Sequence, residues 1–301
     1  MSPFAPPTSA GVIGAGAMGM GVVASLLRNG YRVTVCDVAA AARNDAARRG
    51  ATVAATAADV ARACPVVVLL VVDAAQMEDV LFGTGGAAAA LAPGHVVIAS
   101  STIAPADVAR LGQRVAATGA VLVDAPVSGG PARAHDASMS MMVAGDPAAL
   151  ERCTPLFAAM AAKVFRVGSA PGDGAHFKVI NNMLAGINLA AAAEAMALAA
   201  RAGLDPALVL EVVGASSGAS WIFGDRMPRA VAGDYAPRAA ARILTKDVGL
   251  AVDLAAQHDV PAPLATAARA AFASTVAAGL GDEDDAAIYK WHRRRAGLPD
   301  R

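Results

Sequence analysis

Gly11-Val12-Ile13-Gly14-Ala15-Gly16-Ala17-Met18-Gly19 passes from a short apolar run into Gly14-x-Gly16-x-x-Gly19, then into a helical pattern that reaches Leu27. Gly30 stops that helix. Tyr31 to Cys36 then alternates as a strand and finishes at Asp37. Strand, glycine turn, helix, second strand and an acidic residue about twenty positions on together make the dinucleotide-binding fingerprint. Gly14, Gly16 and Gly19, with Ala17 and Met18 at the helix start, form the candidate pyrophosphate cradle at the positive end of the helix. Asp37 is the candidate acceptor for the adenosine ribose hydroxyls and would repel a 2′-phosphate. No arginine follows it directly (Val38, Ala39, Ala40), which favours NAD over NADP.

The alternation continues outward from there. Val53 reads as a short strand, 56–63 as a helix and 66–72 as a buried strand. The end of that strand, Leu70-Val71-Val72-Asp73, lies on the cofactor side if the sheet is parallel, which marks Leu70 and Val71 as cofactor contacts. A helix over 74–81 and a turn at 82–86 follow. Residues 96–99 form a strand ending in Ser100-Ser101-Thr102-Ile103, 105–118 a helix, and 121–123 a strand ending at Asp124. Residues 139–144 and 164–167 read as the last strands. This pattern predicts an α/β domain with a doubly wound parallel sheet, whose ligands bind beyond the carboxyl ends of the strands. In Asp124-Ala125-Pro126-Val127-Ser128-Gly129-Gly130 a hydroxyl followed by two glycines offers backbone N–H groups to a carboxylate. A plain surface turn has the same composition.

Beyond Gly172 only helical patterns appear, at about 174–202, 206–214, 219–231, 238–257, 263–279 and 283–292. The expected organisation is a loose leader over 1–10, a dinucleotide-binding domain over 11–170 and an all-α substrate and oligomerisation domain over 171–301. The first of these helices is the longest and is rich in Ala, Leu and Met, with no proline between Pro171 and Pro206. Lys178 and Asn182, four residues apart, share one of its faces roughly 5–6 Å apart. A cation and an amide so placed can hold a polar substrate; a solvated lysine beside a helix-start asparagine is the other reading.

A chain of 301 residues fits two domains, and 56% hydrophobic with 17% charged residues excludes general disorder. Twenty-five basic residues balance 25 acidic ones, which argues against a nucleic-acid or membrane-surface partner. Cys36, Cys64 and Cys153 have no metal-ligand spacing and the histidines form no ligand set, so no metal is expected. Free thiols suit a reducing, cytoplasmic setting, and residues 1–10 lack the regions of a signal peptide. The apolar stretch 184–200, interrupted by Asn188 and Glu194, reads as a core helix. The acidic run Asp282 to Asp285 reads as a solvated helix start, and Trp221 and Phe223 as either a wall of the site or core aromatics.

Four segments, in order along nearly the whole chain, resemble one family: Ile13-Gly14-x-Gly16-x-Met18-Gly19, Asp124 to Gly130, Gly172-x-Gly174-x-x-x-Lys178-x-x-x-Asn182, and Lys246-Asp247. The family is the β-hydroxyacid dehydrogenases. The resemblance implies a Rossmann domain followed by a helical domain, NAD-dependent oxidation of a small hydroxy acid, and a homodimer or homotetramer. It implies Lys178 as the catalytic lysine, Asn182 as its substrate-positioning neighbour, and Ser128, Gly129 and Gly130 as the carboxylate loop. Thr102 corresponds to a residue near the nicotinamide and substrate, and Lys246 with Asp247 to a pair beside cofactor and substrate. Residues 183–290 most resemble the branch acting on four-carbon sugar acids such as L-threonate. Branches acting on 3-hydroxyisobutyrate or tartronate semialdehyde are the alternatives, with a nucleotide-binding relative lacking turnover as the non-enzymatic one. The chain departs from the pattern at Ala137, where the family has glycine, and at Pro131, directly after Gly130. Asn182 is not the threonate-branch residue at its position, so the chain mixes features of two branches.

Overall fold

A computed structural model describes residues 8–300 of the chain. Its contacts divide it into two compact units, one running to Lys178 and one from Val179 onward.

The first unit contains β1 (Ser9–Ile13), α1 (Ala17–Arg28), β2 (Arg32–Cys36), α2 (Ala40–Arg48), β3 (Thr52–Val53), α3 (Ala57–Ala63), β4 (Val66–Leu69) and α4 (Ala74–Phe82). It continues with β5 (Val96–Ala99), α5 (Pro105–Ala116), β6 (Val121–Asp124), β7 (Val127–Ser128), α6 (Gly130–His135), β8 (Met139–Ala144), α7 (Pro147–Met160) and β9 (Ala161–Gly168). Strand order is β3-β2-β1-β4-β5-β6-β8-β7, with β9 also paired to β8. The central strands are buried on both faces and alternate strictly. Val66, Val68, Val96 and Ile98 pack into one apolar cluster, while Val67, Leu69, Val97 and Ala99 pack into another. A period of two splits each strand between two helical layers, which is why the sheet is doubly wound. The order reverses between β1 and β4, whose residues Gly11 and Val67 are paired, and this switch point is the ligand-binding crevice of such sheets.

The sheet is mostly parallel rather than wholly so. Strand β8 runs antiparallel to β6 and β7, and β9 parallel to β8. The chain between β6 and β8 is taken up by β7, which pairs antiparallel with β8, and by the short α6, so it returns as a hairpin-like excursion, whereas α7 supplies the crossover from β8 to β9. α6, six residues long, leaves too little sequence for a period, whereas the apolar residues of α7 (Leu150, Cys153, Leu156, Phe157 and Met160) recur at helical spacing. Both carry a proline in the first turn, and the Asp146 side chain caps α7 by accepting the Ala149 N–H at 2.9 Å. β4 ends at Leu69, not at 72, because Asp73 turns the chain by capping α4. The leader read over 1–10 lies mostly outside the described residues; Ser9 and Ala10 already belong to β1.

The second unit is helical: α8 (Asp173–Arg201, whose first turns belong to the first unit), α9 (Pro206–Gly214), α10 (Trp221–Val231), α11 (Ala241–Gln257), α12 (Pro263–Thr275) and α13 (Ala287–Arg295). Its core gathers Leu189, Met196, Phe223, Met227, Val248, Phe272 and Tyr289. α8 has the length and hydropathy of a membrane span, yet it contributes Leu189, Ala193 and Met196 to this core. Phe223 is a core aromatic, whereas Trp221 is half exposed at the start of α10.

Only the first half of the acidic run is solvated. Asp284 and Asp285 are buried, and Arg226 holds Asp285 through Nε–Oδ1 at 2.7 Å and Nη2–Oδ2 at 3.3 Å. Arg229 reaches Asp284 at 3.2 Å, and Arg226 also pairs with Asp225. The guanidinium groups make burial of the acids tolerable.

Candidate active site

The glycine cradle follows from backbone geometry. Gly14 has φ +88°, and a Cβ there would stand 2.5 Å from the Leu70 carbonyl oxygen. A Cβ at Gly19 would overlap the Gly14 carbonyl, so α1 packs against the turn only without one. Above Gly16 a Cβ would meet nothing within 4 Å, which leaves room for a ligand at the helix start. α1 has no side-chain cap and no acidic residue in its first turn, so its N-terminal end remains electropositive. These residues fit a dinucleotide pyrophosphate.

Asp37 stands at the end of β2 beside this turn. Its carboxylate accepts the Ala15 N–H at 2.6 Å and the Ala39 N–H at 2.7 Å, which fixes its orientation. The sequence reading overlooked Arg43, whose guanidinium donates to the carbonyls of Asp37 and Val38 at 2.8 and 2.9 Å. Leu70 and Val71 follow β4, and the Val71 N–H donates to the Ser101 hydroxyl at 2.9 Å. That bond ties the Leu70–Val71 turn to the segment carrying Thr102, which is half-buried. Ser128 pairs with Ser140 across β7 and β8, and Gly129 and Gly130 follow with φ of +142° and +78°. Pro131 falls in the first turn of α6, where its missing N–H costs nothing.

Lys178 and Asn182 lie one turn apart on α8, and both are buried. Within the second unit Asn182 Nδ2 donates to Asp247 Oδ2 at 2.7 Å, and Lys246 Nζ donates to Asp247 Oδ1 at 2.7 Å. An ionised carboxylate only accepts, so the Asn182 atom facing it is the amide nitrogen. Asn181 donates to Asn182 Oδ1 at 3.0 Å, which leaves Asn182 one amide N–H to offer a ligand. His176 turns its Nδ1 to the Gly172 carbonyl at 2.9 Å. Among the described residues no group of three or more His, Cys, Asp or Glu side chains is placed to hold a metal ion.

Asp124 has a role that strand periodicity could not reveal. From the end of β6 its Oδ2 accepts the N–H groups of Gly172 at 3.0 Å and Ala175 at 2.8 Å, capping α8 from another element. Burial pushes its carboxyl up to about 6, opposed by these backbone donors. These bonds tie the first turn of α8 to the sheet of the first unit.

Residues 9–168 match the NAD binding domain of 6-phosphogluconate dehydrogenase, and residues 172–292 match the domain described as the NAD-binding part of NADP-dependent 3-hydroxyisobutyrate dehydrogenase. L-threonate dehydrogenase of Cupriavidus necator is 46% identical over 280 residues, covering 93% of this chain and 94% of the relative. The chain belongs to the β-hydroxyacid dehydrogenase family. L-threonate dehydrogenase of Escherichia coli K12 is 43% identical over 281 residues, with 93% of both chains covered. A crystal structure described as 3-hydroxyisobutyrate dehydrogenase from Salmonella typhimurium superposes with a TM-score of 0.88 at 42% identity, covering 94% of this chain and 99% of that one. The protein is therefore an NAD(P)-dependent β-hydroxyacid dehydrogenase.

In this β-hydroxyacid dehydrogenase the departure at Ala137 has a backbone consequence. Ala137 has φ +62°, held there by the Ser138 N–H donating to Asp136 Oδ1 at 2.9 Å and to the Arg133 carbonyl at 2.9 Å. A left-handed conformation costs an L-residue about 1–2 kcal/mol, and glycine escapes it at an entropic cost of about 0.5–1 kcal/mol. Ala137→Gly is expected to stabilise the protein by about 0.5–1 kcal/mol, read as a higher midpoint in urea denaturation. A lower midpoint would show that the turn is not strained.

Proposed function

We propose that this β-hydroxyacid dehydrogenase oxidises a four-carbon sugar acid of the L-threonate type with NAD. The observation that carries the reading of the site is buried Lys178, followed one turn later by Asn182 with its amide held by Asp247. The substrate class is supported by the L-threonate dehydrogenases at 41–46% identity. The choice of NAD is supported by Asp37, whose oriented carboxylate suits ribose hydroxyls and repels a 2′-phosphate. Arg43, the nearby cation, is engaged with backbone carbonyls.

In this reading the backbone N–H groups of Ser128, Gly129 and Gly130 hold the substrate carboxylate. Thr102 lies beside the reacting carbon. Lys178, neutral in the oxidative direction, takes the proton of the reacting hydroxyl, and returns it in reduction. Asn182 donates its remaining amide N–H to a substrate oxygen, and Asp247 with Lys246 keeps the amide facing that way. Bound nicotinamide supplies the hydride acceptor.

A second copy of the chain is part of the proposal. α9 is strongly apolar yet buries none of its residues, and Leu204, Leu208 and Val212 are each more than half exposed, a pattern that calls for cover by another subunit. Free Cys36, Cys64 and Cys153 support a cytoplasmic setting.

Initial rates for L-threonate, D-threonate, the erythronates, 3-hydroxyisobutyrate and D-glycerate, each with NAD and with NADP, test the reading. The highest kcat/KM is expected with L-threonate and NAD. A preference for 3-hydroxyisobutyrate or glycerate would overturn the substrate class, and a preference for NADP would overturn the role given to Asp37.

A further inference from the structure

Gly186 interrupts the best helix-forming stretch of the chain, in the middle of α8, where alanine would be the stronger helix former. It lies one turn beyond Asn182 and therefore on the same face of the helix. The residue opposite it is Val248, fully buried on α11 and adjacent in sequence to Asp247. A Cβ built on Gly186 would lie well under 3.0 Å from Val248 Cγ2, while standing 3.7 Å from Val248 Cβ and 3.8 Å from Phe272 Cε2. The missing methyl group is what lets α8 and α11 approach this closely.

That approach sets the geometry one turn away. Asn182 Nδ2 and Asp247 Oδ2 are 2.7 Å apart, and both side chains are buried. Val248 has little freedom to step aside, because a β-branched side chain in a helix is confined largely to one rotamer. Relief of an added Cβ therefore falls on the spacing of the helices, by about 1 Å to restore ordinary van der Waals separation. A hydrogen bond lengthened by that much is lost. Asn182 would then be free to turn, presenting its carbonyl where it had presented an N–H.

The geometry points to Gly186 as a positioning residue: with Val248 it sets the α8–α11 separation at which Asp247 fixes the Asn182 amide for substrate. The inference rests on the reading that Asn182 contacts substrate. It assigns Gly186 no contact of its own with substrate or cofactor.

Full-length wild type, G186A, V248A, G186A/V248A and N182A are compared for kcat, KM, dinucleotide affinity and Tm. G186A is expected to lower kcat by up to about 10²-fold, the size of loss that a 1 Å misplacement remote from the chemistry can cause, with dinucleotide affinity unchanged. In G186A/V248A the two Cβ atoms fit at 3.7 Å, so kcat is expected to return to the V248A value. Tm stays low in the double variant, since V248A empties part of the core. A purely structural role would move Tm without a kcat defect below the transition. G186A with wild-type kcat, or a double variant that stays defective, overturns the inference. If G186A alone does not accumulate as folded protein, recovery of folding and kcat in G186A/V248A supports the inference, and failure to recover overturns it. N182A with wild-type kinetics would instead sink the reading of Asn182, which separates that failure from this one.

Discussion

Lys178→Ala is expected to lower kcat for hydroxy-acid oxidation by about 10²–10⁴-fold, the usual contribution of a positioned general acid–base, with the dinucleotide dissociation constant unchanged. Lys178 is only 8% exposed and stands on α8, whereas the cradle proposed for the dinucleotide comprises Gly14, Gly16, Gly19 and Asp37. Loss of the amine is therefore expected to remove the proposed proton transfer without disturbing that cradle. Lys178→Arg is expected not to recover the rate, because a guanidinium stays protonated and cannot accept the hydroxyl proton. Steady-state kinetics paired with equilibrium titration of NAD checks both statements. Equal losses in turnover and in NAD affinity would remove Lys178 from the acid–base role.

The largest stability effect is expected at Arg226. Arg226→Ala leaves Asp285 buried without its bidentate partner, and breaking a buried pair this way costs about 3–5 kcal/mol. By the usual scaling for a protein of this size, that lowers Tm by roughly 10 °C. The loss should depend on pH with a definite sign. Burial already pushes the Asp285 carboxyl up to about 6 in the native protein, and without the guanidinium it rises further. A carboxyl whose folded pKa lies above its unfolded value binds more protons when folded, so lowering the pH between those values stabilises the fold. The variant is thus expected to regain part of its lost stability as pH falls from about 7 towards 5, measured by thermal melts across that range. A deficit independent of pH would mean that lost packing, not the stranded acid, causes it.

How much of this could be read from residue order depends on whether the signal is local. Strand period, glycine spacing and the acidic end of β2 all act over a few residues, so the dinucleotide half, the helical half and the i,i+4 pair on α8 were legible. The resemblance supplied Lys246 and Asp247 by position, and the structure joins Asp247 to Asn182 by a hydrogen bond across 65 residues of sequence. The acidic run misled because burial is invisible in a charge string. Asp284 and Asp285 look solvated until Arg226 and Arg229, more than 50 residues away, are brought to them. α6 was missed because six residues leave no period, whereas α7 was readable, with Leu150, Cys153, Leu156, Phe157 and Met160 at helical spacing behind the Asp146-Pro147 start signal.

Residue order alone determined the strand–helix alternation of the first unit and the helical pattern of the second, since propensity, turn chemistry and period are properties of neighbours in the chain. Only the tertiary structure decided that Asp124 caps α8, that β8 runs against β6, and that Ala137 sits in a left-handed turn. It alone decided that Gly186 admits Val248 beside Asp247. Each of these depends on the approach of groups distant in sequence, with energies set by burial and contact geometry that no local pattern encodes.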